Sequence, residues 1–171
     1  IYKPSELAAN GNKSEEEQVY STNSKEMYFI DTEKVENEAI ESGDKKRGTI
    51  LIVEDNNEIR HYLSSGLAEL FNILEAGNGE EALEKLKGNE VDIIVTDVMM
   101  PVMDGYTATK KIRSLEHSDA KTIPIIAMTA NAFQEDAEKC IAVGMNAHLA
   151  KPLDIEKMMT TICHLVKKKN E

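Results

Sequence analysis

The stretch DIIVTDVMMPVMDG, residues 92–105, decides the fold. It opens with a β-branched apolar run at residues 93–95, which is typical of a strand buried on both faces of a parallel sheet. A single carboxylate, Asp97, then stands where that strand is predicted to end. Pro101 and Gly105 suit a tight loop whose backbone comes close to this acid. The stretch therefore predicts a buried central strand that presents one acid at its carboxyl end.

Composition and length indicate a globular protein with one domain and an appendage. The chain has 171 residues, of which 41% are hydrophobic and 30% are charged. No apolar run approaches the roughly 20 residues of a membrane span, and no signal peptide opens the chain. The net charge of −11 argues against non-specific nucleic-acid binding through a basic surface. Cys140 and Cys163 lack zinc-finger spacing, which favours free thiols in a reducing compartment.

The chain divides into two unequal parts. Residues 1–47 are polar and lack apolar periodicity, so we predict a flexible linker or tail there, followed by one domain at 48–169. Within the first part, EMYFID at 26–31 is compatible with a strand or a docking segment. TEKVENEAI at 32–40 is compatible with a weak helical turn. Neither shows any chemistry, and a solvated linker is the favoured interpretation.

Short apolar segments alternate with helical patterns from residue 49 onward. The predicted strands are 49–53, 71–76, 91–97, 123–130 and 147–151. An amphipathic helical pattern follows each of them, and the strands are too far apart to be joined by hairpin turns. Right-handed crossovers then give an α/β fold in which a parallel sheet of five strands is covered by helices on both faces.

Polar groups follow four of the five predicted strands. Glu54 and Asp55 come after the first strand, Asp97 ends the third, Thr129 ends the fourth and Lys151 follows the fifth. Each group alone is more often an ordinary strand-end residue or a helix cap. In a parallel sheet, however, all these strand ends meet at one edge, where ligands bind. We therefore expect them to be neighbours in space.

This combination of groups indicates a phosphoryl site. Clustered carboxylates repel one another, so the pKa of at least one should rise unless a cation intervenes. Mg²⁺ suits such a cluster, because it prefers one or two carboxylates together with waters and phosphate oxygens. The Thr129 hydroxyl and the Lys151 ammonium complete a cradle for a phosphoryl group, and Asp97 can act as its nucleophile.

Four segments resemble the receiver domain of two-component response regulators. They are ILIVEDN at 50–56, DIIVTDVMMPVMDG at 92–105, IPIIAMTA at 123–130 and HLAKP at 148–152. Their order, spacing and strand context match that family over about residues 48–168. The resemblance implies a flavodoxin-like, doubly wound, five-stranded parallel sheet with strand order 2-1-3-4-5 and five helices.

The resemblance also implies a phosphoacceptor and a metal site. Asp97 would be the phosphoacceptor. Asp55, Asp97 and the main-chain carbonyl of Met99 would hold Mg²⁺, with Glu54 assisting through a water molecule. The family often has Asp where this chain has Glu54. Met99 and Asn131 would flank the phosphoryl pocket, at positions that tune the lifetime of the acyl phosphate.

A switch is implied on the fourth and fifth strands. Thr129 would hydrogen-bond the phosphoryl group, Lys151 would be its counter-charge, and the peptide between Lys151 and Pro152 would be cis. The switch position of the family usually holds Tyr or Phe, but here it holds His148. Two interpretations of His148 stay open: an ordinary residue of an edge strand, or a titratable switch side chain.

The function implied is a relay step. The domain would take a phosphoryl group from the phospho-histidine of a histidine kinase or a histidine phosphotransfer domain, and would then change a partner-binding face. It would promote only its own phosphorylation and dephosphorylation. A cytoplasmic location is expected, and a homodimer is left open. No DNA-binding segment follows the domain, so direct nucleic-acid binding is not expected.

The wider protein is interpreted as a hybrid sensor histidine kinase. MTANAFQEDAEKC at 128–140 resembles the receivers of such kinases, and a polar lead without an initiator Met suggests the receiver end of a longer chain. No kinase ATP-binding motif is present in these residues. A stand-alone response regulator is the alternative.

Two other functions share the same kind of sheet. A Mg²⁺-dependent phosphatase with an Asp nucleophile usually carries a second Asp two residues later as its general acid, and this chain has Met99 there. A flavodoxin-like cofactor site would need a phosphate-binding loop after the first strand. The sequence EDNN at 54–57 would repel an anion at that point.

Overall fold

The computed structural model describes residues 20–23, 26–29, 48–131 and 133–171. The helical turn predicted at 32–40 lies outside these residues. The strand predicted as one option within 26–31 is present at Glu26–Phe29.

The described residues form seven strands and five helices. The strands are β1 Tyr20–Asn23, β2 Glu26–Phe29, β3 Thr49–Val53, β4 Asn72–Ala76, β5 Ile93–Asp97, β6 Ile125–Thr129 and β7 Ala147–Ala150. The helices are α1 Asn57–Leu67, α2 Gly79–Gly88, α3 Gly105–Ser114, α4 Gln134–Val143 and α5 Ile155–Lys169. Each of the five helices follows a strand of the series β3 to β7, as predicted, and the predicted strand ends differ by at most two residues.

All described strands belong to one sheet of order β2-β1-β7-β6-β5-β3-β4. The five strands β3 to β7 are parallel, and their order is the predicted 2-1-3-4-5. The sheet has two more strands than the five predicted. These are β1 and β2, which pair antiparallel with each other and add to the β7 edge. The sequence offered a strand within 26–31 as one option, but main-chain pairing needs no apolar periodicity, so nothing signalled β1 or the pairing with β7.

The central strands are apolar because both of their faces are covered. Every residue of β5 and of β6 is buried. In β3, Ile50 and Ile52 face a core shared with α1 and α5, whereas Leu51 and Val53 face the core beneath α2, α3 and α4. None of the helices in the described ranges combines the length and the apolar character that a membrane crossing requires.

Side-chain caps fix where several helices begin. Asn56, Asn78 and Asp154 each accept hydrogen bonds from two main-chain amides in the first turns of α1, α2 and α5. Helix α4 ends at Gly144, whose φ of +100° lies in the left-handed region that glycine favours. The three N-caps keep the loops after β3, β4 and β7 short at the carboxyl edge of the sheet.

The first residue of α3 is pressed against the end of β5. The Gly105 amide donates to the Val98 carbonyl at 3.1 Å. A Cβ at Gly105 would lie only 2.3 Å from the Asp97 carbonyl oxygen and 3.0 Å from the Cα of Val98. Only glycine fits this contact, as the tight loop predicted from the sequence requires.

We expect Gly105→Ala to lower the free energy of unfolding by about 1–3 kcal/mol, because backbone atoms must move to admit the methyl group. Gly88→Ala is the matched control, since a Cβ there meets nothing within 4 Å. In that helix the change should be neutral or stabilising by up to about 1 kcal/mol. Urea unfolding of both variants measures the difference, and equal effects would contradict the close packing at Gly105.

Candidate functional site

Strand register brings the predicted site residues side by side. Asp97 of β5 lies opposite Met128 of β6, so Thr129 stands one residue beyond it. Thr129 in turn lies opposite Ala150 of β7, so Lys151 follows at the next position. The carboxyl ends of three neighbouring strands therefore present a carboxylate, a hydroxyl and an ammonium in sequence along one edge.

Three carboxylates gather at this edge. Val53 of β3 lies opposite Thr96 of β5, which places the residues after β3 next to Asp97. Oxygens of Glu54, Asp55 and Asp97 all lie within 4.8 Å of one another. Glu54 and Asp97 are only 1% and 5% exposed, whereas Asp55 is exposed to solvent. The site is therefore lined by two buried carboxylates and one that is exposed to solvent.

The Lys151 ammonium bridges two of these carboxylates. Its Nζ lies 3.0 Å from Glu54 Oε2 and 3.0 Å from Asp97 Oδ2. Glu54 Oε1 also accepts the amide of Asn56 at 3.1 Å. Burial raises the pKa of Glu54, and the charge of Asp97 adds to this, against the lowering effects of the Asn56 amide and of Lys151. One carboxyl of the cluster thus has a raised pKa, but burial contributes more to that shift than the repulsion expected from the sequence.

The same ion pairs keep Lys151 charged. Burial lowers the pKa of Lys151, but the hydrogen bonds and charges of Asp97 and Glu54 outweigh it, and the net shift is upward. The Lys151 amide donates to the Thr129 carbonyl at 2.7 Å, and the peptide before Pro152 is cis. The ammonium is therefore a permanent positive charge at neutral pH, anchored at the end of β7.

Both oxygens of Asp97 have donors. Oδ2 faces Lys151, and Oδ1 accepts the Met99 amide at 3.3 Å. The Met99 side chain is 73% exposed and flanks the site at its solvent side. The Thr129 hydroxyl is 2.7 Å from the main-chain carbonyl of Asn131, to which it donates. In this state the hydroxyl hydrogen is directed at the following loop, and not at Asp97.

The loop after β5 contains a tight three-residue turn. The Met103 amide donates to the Pro101 carbonyl at 2.7 Å, and Val102 between them has a φ of 67°. Such a φ is costly for a β-branched residue. The Val102 side chain is 74% exposed, so no packing accounts for this conformation. The turn instead lets the chain return to the start of α3 beside Asp97.

His148 lies inside β7 and is 4% exposed. Burial lowers its pKa, and the charge of Asp136 opposes that effect only partly. The neutral imidazole is therefore the favoured form in the folded chain. Its position opposite Ala127, three residues before Lys151, is the one expected for the switch residue.

Arg60 borders the site and was not among the residues predicted from the sequence. Its Nη1 donates to the main-chain carbonyl of Glu54 and its Nη2 to Asn57 Oδ1, both at 2.5 Å. The guanidinium thus ties the first turns of α1 to the end of β3. The three-residue spacing between Asn57 and Arg60 on a helix was the available signal.

This arrangement fits a hard divalent cation and a phosphoryl group. Three carboxylate oxygens within 4.8 Å suit a small cation with oxygen ligands, and the exposure of Asp55 leaves room for waters. Lys151, which bridges Glu54 and Asp97, and Thr129, at the end of the neighbouring strand, are donors that can face phosphoryl oxygens.

Comparison with known proteins identifies the family. The family model described as the response regulator receiver domain matches residues 50–163. The sensor histidine kinase RcsC of Escherichia coli (strain K12) is 38% identical over 114 residues, which are 66% of this chain and 12% of that protein. Hybrid signal transduction histidine kinase B of Dictyostelium discoideum is 37% identical over 147 residues, which are 80% of this chain and 7% of that protein.

Solved structures of receiver domains and response regulators are similar to this chain as well. The receiver domain of sensor histidine kinase PA1611 from Pseudomonas aeruginosa PAO1, with a magnesium ion coordinated in its active-site cleft, is 34% identical. It covers 71% of this chain and 99% of its own chain, with a TM-score of 0.65. The chemotaxis response regulator CheY4 of Vibrio cholerae is 31% identical, covering 70% and 99% of the two chains, with a TM-score of 0.66. This chain belongs to the response regulator receiver domain family and is a receiver domain of two-component signalling.

The lowered pKa of His148 predicts a pH dependence of stability. Below about pH 6.5 the unfolded chain binds a proton at this imidazole that the folded chain excludes, so acid favours unfolding. We expect His148→Gln to lose less stability than the wild type between pH 7 and 5. The difference should have a slope of at most about 1.4 kcal/mol per pH unit. Urea unfolding across this range measures it, and parallel profiles would contradict the burial of a neutral imidazole.

Proposed function

We propose that Asp97 is the phosphoacceptor of this receiver domain and takes its phosphoryl group from a phospho-histidine. The observation that carries the proposal is the position of Asp97, an enclosed carboxylate 3.0 Å from the Lys151 ammonium and next to two further carboxylates. A nucleophilic oxygen, a fixed cation and a set of oxygen ligands are the parts that phosphoryl transfer to a carboxylate requires.

The metal proposed for this site is Mg²⁺. Asp55, Asp97 and the main-chain carbonyl of Met99 would be its ligands, and Glu54 would act through a water molecule. The preference of Mg²⁺ for few carboxylates and several waters supports this set, because Asp55 is open to solvent and Glu54 is engaged by Lys151. When bound, the ion would neutralise negative charge on the phosphoryl oxygens.

The transfer itself is a displacement at phosphorus. An oxygen of the Asp97 carboxylate forms a bond to the phosphorus atom while the bond from phosphorus to the imidazole nitrogen of the donor breaks. The imidazole leaves with the bonding electron pair and takes up a proton from solvent. The product at Asp97 is an acyl phosphate. Attack of water on its phosphorus releases inorganic phosphate and restores the carboxylate.

Lys151 and Thr129 would hold the transferred group. Lys151 is charged and already 3.0 Å from Asp97 Oδ2, so it can follow the negative charge onto the phosphoryl oxygens. Thr129 would exchange its bond to the Asn131 carbonyl for one to a phosphoryl oxygen. That exchange moves the loop after β6 relative to β7. His148, buried in β7, is proposed to report this movement in place of the usual aromatic residue.

The wider role is proposed from the relatives. The chain spans 12% of the length of RcsC and 7% of hybrid kinase B, both of which are histidine kinases. We propose that this receiver works in a hybrid sensor histidine kinase on the cytoplasmic side of the membrane. A histidine kinase or histidine phosphotransfer domain would be its partner. A phosphatase acting on external substrates is disfavoured, because Met99 stands where its general acid would be.

Acetyl phosphate with Mg²⁺ should add one phosphoryl group to the wild-type chain and none to Asp97→Asn, because the amide cannot attack phosphorus. Asp119→Asn, which removes an exposed carboxylate elsewhere, is the control and should be modified like the wild type. Intact-mass spectrometry reads the adduct. The same adduct on Asp97→Asn would show that another residue is the acceptor.

Mg²⁺ binding should depend on Asp55. Asp55→Ala removes the open carboxylate of the cluster and should weaken Mg²⁺ affinity about tenfold or more, the loss seen when even an indirect metal contact is removed. Isothermal titration calorimetry of Mg²⁺ into the wild type, Asp55→Ala and the Asp119→Asn control measures it. An unchanged affinity in Asp55→Ala would rule out this ligand set.

A further inference from the structure

The edge of the parallel sheet at β7 is occupied by a segment from the start of the chain. Strand β1 runs antiparallel to β7, with Tyr20 opposite His148 and Ser21 opposite Ala147. Strand β2 then pairs with β1 on its outer side. The hairpin β1–β2 therefore covers an edge whose main-chain groups would otherwise be open to pairing with another chain.

Hydrogen-bond direction shows which groups of β7 face this hairpin. The Asn146 amide donates to the Ile125 carbonyl, so it points toward β6. Successive amides of a strand point to opposite sides, so the amide and carbonyl of Ala147 point away from β6 and toward Ser21. Ala147 is thus the residue of β7 whose main-chain groups report whether β1 is docked.

The pairing of β1 with β7 is short. It joins two residue pairs, whereas β6 and β7 are joined by four. The hairpin is therefore held to β7 by half as many main-chain pairs as β7 is to β6, and β7 can stay in the sheet through β6 when the hairpin leaves.

The same strand carries the lysine of the phosphoryl site. Strand β7 has four residues, about 13 Å at ~3.3 Å per residue, and Lys151 follows it directly. The side chain of Lys151 is held by Asp97 and Glu54, and its amide by the Thr129 carbonyl. A change of charge at Asp97 acts on the Lys151 side chain, and the Lys151 amide is fixed to Thr129, so the carboxyl end of β7 is the part of the strand that feels it. The pairing of His148 with Tyr20 lies three residues before Lys151 on the same strand.

We propose that the hairpin β1–β2 is a detachable cover of the β7 edge, docked while Asp97 is unmodified and released when a phosphoryl group is placed there. Release exposes the main-chain groups of Ala147 to solvent. The trigger rests on the proposed phosphoacceptor role of Asp97. The docking of β1 on β7 is observed directly and does not depend on that role.

Amide exchange measured by NMR on the whole chain tests docking. Ser21→Pro removes the amide that faces β7 and blocks pairing, whereas Ser21→Ala keeps it and is the matched control. We expect Ser21→Pro to speed exchange of the Ala147 amide about tenfold, the equivalent of one hydrogen bond. The Asn146 amide, which is bonded to β6, should keep its rate. Equal Ala147 rates in the two variants would overturn docking.

The trigger is tested by adding acetyl phosphate and Mg²⁺ while intact mass is followed. Exchange at Ala147 should speed up in the wild type and in Ser21→Ala as the adduct forms, but not further in Ser21→Pro. An unchanged or slower Ala147 rate in a chain that carries the adduct overturns the release and leaves the phosphoacceptor role intact. Absence of any adduct at Asp97 overturns the phosphoacceptor role and the trigger together.

Discussion

Repulsion among three carboxylates at one edge of an apolar sheet is the constraint on which the rest of this structure depends. Burial makes ionisation of Glu54 costly, and register places it beside Asp97. A single ammonium, 3.0 Å from each, offsets that repulsion. Because the ammonium belongs to the residue after β7, the charge state of the cluster and the position of the last strand are linked. A bound Mg²⁺ would compensate the same negative charge, whereas a phosphoryl group on Asp97 would add to it.

The sequence was sufficient for the parallel core because its signals are local and redundant. Five short apolar runs, each followed by an amphipathic pattern, leave few topologies open, and an acid after a β-branched run marks the end of the central strand at Asp97. The hairpin β1–β2 was not predicted as part of the sheet. Its two residue pairs with β7 are made by main-chain atoms, which leave no pattern in side-chain hydrophobicity.

The sequence predicted which residues form the site, but not the hydrogen bonds that they make. Positions after strands placed Asp97, Thr129 and Lys151 together, since register carries them to one edge. The direction of the Thr129 hydroxyl toward Asn131 depends on a loop conformation that spacing does not encode. The part played by Arg60 was missed for a related reason, because its partner is a main-chain carbonyl and not a charged side chain.

The contact at Gly105 makes the site more rigid on the side of α3 than on the side of β6 and β7. On the α3 side, main chain lies directly against main chain, with no room for even one methyl group next to the Asp97 carbonyl. On the side of β6 and β7, the polar groups are the rotatable hydroxyl of Thr129 and the long ammonium side chain of Lys151, which can change direction at little cost. Strain from the proposed phosphoryl group on Asp97 would therefore be taken up on the side of β6 and β7. The Gly105 contact would be the part of the site that stays in place.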